Sequence, residues 1–175
     1  DTLNLSPNAA GSTSGWTYTG GSTDYSNLST NDGDTTNANV GSQNKVHTVA
    51  LTDHTSESGT INSVTVFVVA KQTGAENLQV AIRSGVTNYF SSSVTPTTSY
   101  GSFSNVWLTD PNGGASWTWT AIDALEAGMK SVAVGGWSGT EYVTQVYVVV
   151  DYTPPAATIT IGDASKGEVA TTLAP

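Results

Sequence analysis

The chain has 175 residues, 37% hydrophobic and only 11% charged, with 14 acidic against 5 basic side chains, a net charge of −9 and no cysteine. That length fits one domain with an appendage around a single core. The acidic balance repels phosphate backbones and anionic lipid surfaces, which excludes nucleic acid as a partner, and the lack of cysteine excludes disulfides, thiolate metal sites and a cysteine nucleophile. The low charge is made up by Ser, Thr, Asn and Gly, which favour strands and turns over helix interiors. No apolar run reaches the ~20 residues that span a bilayer, so membrane insertion is not expected. The first residue, Asp1, is not Met, which fits a processed or trimmed start.

Residues 1–45 read as an N-terminal arm and loops with one or two short strands, with aromatics at Trp16, Tyr18 and Tyr25. From 46 to 153 the alternation sharpens into a sandwich core: strands are expected at Val46–Leu51, Val64–Ala70 and Leu78–Arg83, then near 86–91, 102–108, 131–137 and 143–152. The run Val64–Ala70 is apolar on both faces apart from Thr65 and so belongs in the middle of a sheet, and the turn at Gln72–Glu76 joins it in antiparallel fashion to its successor. One short helix is expected from Thr120, with Asp123 completing a capping-box-like start, Ile122, Leu125 and Met129 forming its apolar stripe, and Gly128 stopping it. Pro154-Pro155 then breaks the last strand. A tail over 154–175 holds one strand candidate, Thr158–Ile161, whose Ile159 and Ile161 are candidate assembly contacts with an exposed sheet edge of this chain or a neighbour. Strands separated by Gly, Pro and Asn, without intervening helices, specify an all-β fold: an antiparallel, jelly-roll-like β-sandwich with one short helix.

Several segments carry a resemblance: Asn31-Asp32-Gly33-Asp34-Thr35-Thr36, Arg83-Ser84-Gly85-Val86-Thr87-Asn88-Tyr89, Trp107-Leu108-Thr109-Asp110-Pro111, Trp117 to Gly128, and Val143-Thr144-Gln145-Val146-Tyr147-Val148. Over residues 30–153 their order resembles β-sandwich domains of tailed-phage virion proteins, which are also met in bacterial secreted proteins. The resemblance implies a surface-exposed structural module of the capsid-decoration, head-fibre or tail type, with no catalytic residues to carry over.

The residues offer little for catalysis. His47 and His54 lack a second ligand type at zinc spacing, and Gly136-Trp137-Ser138-Gly139 lacks the glycine two residues after the serine that a nucleophile elbow needs. Asp110, Glu126 and Glu141 read as ordinary solvated carboxylates beside turns or on a short helix, not as an acid–base pair. Asp32 and Asp34 flank Gly33 in an oxygen-rich turn; a plain turn and a calcium site are both open readings, the second being the one cofactor candidate. The five tryptophans are many for so polar a chain, and Trp107, Trp119 and Trp137 are candidates for stacking on sugar rings.

The leading expectation is therefore a non-enzymatic structural protein of a virion or extracellular assembly, above all a capsid-decoration protein, whose terminal extensions contact capsid or like subunits in a homo-oligomer. Two alternatives stand beside it. One is a carbohydrate-binding module using exposed Trp or Tyr, with glycan as the partner; the other is an extracellular filament subunit assembled by strand donation. The expected location is a virion surface or the extracellular space.

Overall fold

The two-faced apolar run at 64–70 lies in the middle of a sheet, as its composition requires. The computed structural model describes residues 1–21, 25–133, 135–159 and 171–172. Its strands are β1 (Thr2–Leu5), β2 (Pro7–Ser14), β3 (Thr17–Thr19), β4 (Asn37–Val40), β5 (Val46–Leu51), β6 (Thr60–Gln72) and β7 (Asn77–Ser84). They continue with β8 (Thr87–Phe90), β9 (Gly101–Trp107), β10 (Glu126–Val132), β11 (Glu141–Thr153), β12 (Thr158–Ile159) and β13 (Thr171–Thr172), with one helix, α1 (Trp119–Asp123), before β10. One sheet runs β3-β4-β11-β6-β9, with β1 also paired to β11; the second runs β2-β5-β10-β7-β8. All these pairs are antiparallel. From β4 to β11 the chain changes sheet at almost every connection, as in a jelly roll.

The inner faces meet in one core. Val64, Val66 and Val68 of β6 and Val146, Val148 and Val150 of β11 are fully buried against Val49, Leu78, Val80, Ile82, Ala127 and Met129 of the other sheet. Each of these valine, leucine, isoleucine and methionine side chains stabilises the fold by about 1.5–3 kcal/mol.

Four sequence expectations change. Residues 1–45, read as an arm and loops with one or two short strands, supply four strands: β1 and β4 pair with β11, β2 pairs with β5 in the opposite sheet, and β3 pairs with β4. The turn at 72–76 reverses the chain but does not close a hairpin, because β6 and β7 lie in different sheets. The helix is five residues long and begins at an N-cap Thr118, whose Oγ1 accepts from Ala121 N at 3.1 Å. Gly128 and Met129 therefore lie on β10, which occupies 126–132 and not the expected 131–137. The helical spacing of Ile122, Leu125 and Met129 was a coincidence of two elements: all three are buried, the last from a strand. In the tail, β12 pairs with β13 of the same chain, Ile159 opposite Thr171; Ile161 lies outside the described residues.

Gly128 is a fixed point of the second sheet, since a Cβ there would lie 1.9 Å from the backbone oxygen of His47 on β5. Gly128→Ala must push β5 away from β10 and is expected to cost about 1–3 kcal/mol, the usual range for overpacking. Equilibrium denaturation checks this, and unchanged stability would mean that the two strands are not this close.

Candidate functional site

The outer face of the first sheet is shaped by an irregularity in β11. Val143 pairs with Ala70, but Gln145 pairs with Val69, so Thr144 is an extra residue in β11 and the pairing is rephased there. Glu141 and Val143 point inward before this bulge and Val146, Val148 and Val150 after it, which turns Gln145 and Tyr147 to the outside. Thr144 is buried and tied down, its Oγ1 lying 3.1 Å from Asp32 Oδ1 and 3.2 Å from the Thr36 carbonyl oxygen.

The same strand has a divided edge. On one side β6 accompanies it throughout; on the other, β4 pairs with Glu141–Val143 and β1 with Val148–Asp151. Between those partners β11 has a single bridge, Ser29 to Gln145, and Gln145 Nε2 donates to the Ser29 carbonyl at 3.3 Å. The gap leaves an open hollow of about 370 Å³, lined by Asn4, Ser6, Gln145 and Tyr147. Phe67, the register partner of Tyr147 on β6, stacks on it with ring centroids 4.7 Å apart and planes 2° apart. Phe67 thus backs the tyrosine ring from the β6 side, while the hollow opens on the β1 side. The lining is one aromatic ring with amide and hydroxyl groups and carries no formal charge.

The three tryptophans singled out from sequence do not assemble into a platform. Trp107 lies opposite Val64 and packs on the core, its carbonyl accepting from Trp117 Nε1 at 3.0 Å. Trp119 opens α1, donates to the Gly59 carbonyl at 3.2 Å and is wedged between His54 and Tyr152, at centroid distances of 5.0 and 5.2 Å. Trp137 lies between β10 and β11 and donates to the Gly139 carbonyl at 2.6 Å. All three are partly buried against the core cluster. The missed residue, Tyr147, had a sequence signal: in the alternation Val146, Val148, Val150 it falls on the opposite face, beside Gln145.

The two aspartates of the 31–36 turn have partners within the protein. Asp32 accepts from Thr36 N and Oγ1 at 3.1 and 2.8 Å, and these bonds with that from Thr144 outweigh the opposing effect of burial and lower its pKa. Asp34 is paired to Lys71 at 2.6 Å and accepts from Tyr100 Oη at 3.0 Å. Lys71 also sits over the rings of Tyr100 and Tyr142, at 4.8 and 5.3 Å. Among the described residues no three His, Asp or Glu side chains are grouped as metal ligands.

Of the three carboxylates expected to be solvated, Asp110 stays half-exposed in its turn, accepting from Asn112 N at 2.9 Å, while Glu126 and Glu141 are enclosed. Glu126 begins β10, accepting from Ser12 N at 2.8 Å and from the hydroxyls of Ser12 and Thr48, with Arg83 Nε at 3.8 Å. Glu141 is only 1% exposed, and burial, then the charge of Glu76, push its carboxyl up to about 8. Both positions lie at strand starts, where turn-like local sequence gives no sign of burial. His54 Nδ1 lies 2.7 Å from Asp123 Oδ1, and that hydrogen bond holds the aspartate below its usual range.

No protein-family model matches the sequence, and no curated protein matches it. Among solved structures, a protein described as "xylan-binding module CBM15" shares the fold at a TM-score of 0.50 and 13% identity, over 87% of this chain and 97% of that one. The CBM22-1 xylan-binding domain from Paenibacillus barcinonensis Xyn10C aligns over 87% and 96% of the two chains, with 14% identity and a TM-score of 0.45. The second likeness is too loose to support any reading. The capsid-decoration expectation is corrected here: the fold matched is that of a carbohydrate-binding module, and the supposed assembly arm is built into both sheets. The alternative of strand donation loses its motive too, since the tail strand pairs within its own chain. No helix among the described residues is long and apolar enough to cross a membrane.

Burial, and next the hydrogen bond to Asp34, raise the Tyr100 phenol above its ordinary 10.0. A raised pKa stabilises the fold fully below pH 10 and loses that contribution as pH climbs beyond it. Asp34→Asn is expected to move the ultraviolet titration of this tyrosine downward and to soften the alkaline loss of stability. An unchanged titration would show that burial alone sets the phenol.

Proposed function

We propose that this protein is an extracellular, non-catalytic carbohydrate-binding module whose site is the hollow beside β1 and β11. The observation that carries the reading is the Tyr147 ring, held rigid by its stack on Phe67 and turned toward amide and hydroxyl groups of Gln145, Asn4 and Ser6. An aromatic face takes the apolar C–H face of a sugar ring, while amides and hydroxyls exchange hydrogen bonds with its hydroxyls. The hollow lies within the roughly 300–1,000 Å³ of small-ligand sites. Its uncharged lining favours a neutral glycan, in keeping with the protein's low charge, and contains no carboxylate or histidine for hydrolysis. Xylan is the first ligand to test, because the neighbour that shares the fold is described as binding it.

A stacking ring of this kind, with the contacts it organises, is worth about 1.4 kcal/mol or more, a factor of about ten in affinity. Tyr147→Ala is therefore expected to weaken binding to xylo-oligosaccharides at least tenfold by isothermal titration calorimetry, with an unchanged circular dichroism spectrum. Binding by the parent protein should hardly depend on salt, because no charge lines the hollow. If Tyr147→Ala binds as well as the parent, this face is not the site.

A further inference from the structure

The connection between β6 and β7 meets that between β10 and β11 at one end of the sandwich, and two carboxylates are buried there. Glu76 and Glu141 are each only 1% exposed. Glu76 Oε1 accepts from Ser138 N at 2.6 Å, Ser138 Oγ at 3.1 Å and Gly139 N at 2.7 Å. Glu76 Oε2 and both carboxylate oxygens of Glu141 are buried without a hydrogen-bond partner. Glu141 lies opposite Gln72 on β6, but the Gln72 amide is committed elsewhere: its Nε2 donates to the Pro96 carbonyl at 2.9 Å and its Oε1 accepts from Glu76 N at 3.0 Å. The backbone crowds in as well, since a Cβ on Gly74 would lie 2.4 Å from Glu76 Oε2 and 2.8 Å from Gly139 N.

No basic side chain among the described residues reaches this pair. Lys71, next to Gln72, is on the other face of β6 and paired with Asp34; Arg83 lies near Glu126, and Lys130 sits over the Phe90 ring. Two buried carboxylates without a counter-charge cost several kcal/mol each. One proton shared between them would engage one oxygen of each and still leave an oxygen of Glu141 without a partner. A hard divalent cation engages all three oxygens and neutralises both charges, and an all-oxygen set is what calcium takes. We propose that Glu76 and Glu141 hold a structural divalent cation of the calcium type, its remaining ligands being neutral oxygens. It would clamp the 72–76 turn to the segment that starts β11, the strand that carries Gln145 and Tyr147.

Terbium is a luminescent stand-in for calcium, and Trp137, bonded to Gly139, is placed to sensitise it. The full chain at neutral pH is expected to give saturable terbium luminescence at one ion per chain, displaced by calcium, and a melting temperature that calcium raises and a chelator lowers. Glu141→Gln, isosteric and neutral, should lose both responses while keeping its circular dichroism spectrum. Asp34→Asn should keep both. Luminescence that survives Glu141→Gln but not Asp34→Asn overturns the assignment. So does a melting temperature that ignores calcium and chelator and falls only as pH rises from about 4.5 toward 8, because that is the behaviour of a shared proton.

Discussion

The antiparallel pairing of β6 with β11 is the constraint on which the rest depends. Its register runs from Gln72 opposite Glu141 to Thr60 opposite Thr153, interrupted by two irregularities. Both strands contribute alternating valines to the core, so a slip of one residue would exchange their inner and outer faces. The bulge at Thr144 allows Val143 and Val146 to point inward on either side of it. One inserted residue therefore serves the core and the surface together: it keeps the valine row buried and presents Gln145 and Tyr147 outward, while its own side chain anchors the 30–36 turn.

The divided outer edge of β11 follows from the same strand being longer than either partner on that side. With β4 at one end and β1 at the other, the middle is left open except at Ser29. A site made this way rests on rigid strands, which keeps its aromatic ring and amide in fixed positions. The N-terminal residues are thereby part of the site, since Asn4 and Ser6 line the hollow and Leu5 is buried beneath.

Much of the fold was legible because it follows from local composition and period. The apolar run Val64–Ala70 could only be a central strand, and the alternation of 146–152 announced its buried face. What was not legible depends on long-range contacts. The turn at 72–76 signals a reversal, but whether its flanking strands share a sheet or face each other across the core is decided by their other partners. Met129 satisfied a helical spacing while lying on a strand, and Glu141 is buried where β11 runs between Gln72 of β6 and Val40 of β4, both far away in sequence. The tryptophans drew attention because large aromatics are common in glycan sites, yet large aromatics are also what a core of valines needs to fill its ends. Tyr147 was visible as the odd face of a strand, and only the gap between β4 and β1 shows what it faces.

Chemical-shift mapping by NMR of the whole chain against a xylo-oligosaccharide series tests whether the hollow beside β1 and β11 is where glycan binds. A glycan site in that hollow predicts perturbations confined to residues 4–6, 67 and 145–147, growing with oligosaccharide length until the hollow is filled. Perturbations centred on Trp119 or Trp137, or none with any neutral polysaccharide fragment, would contradict it.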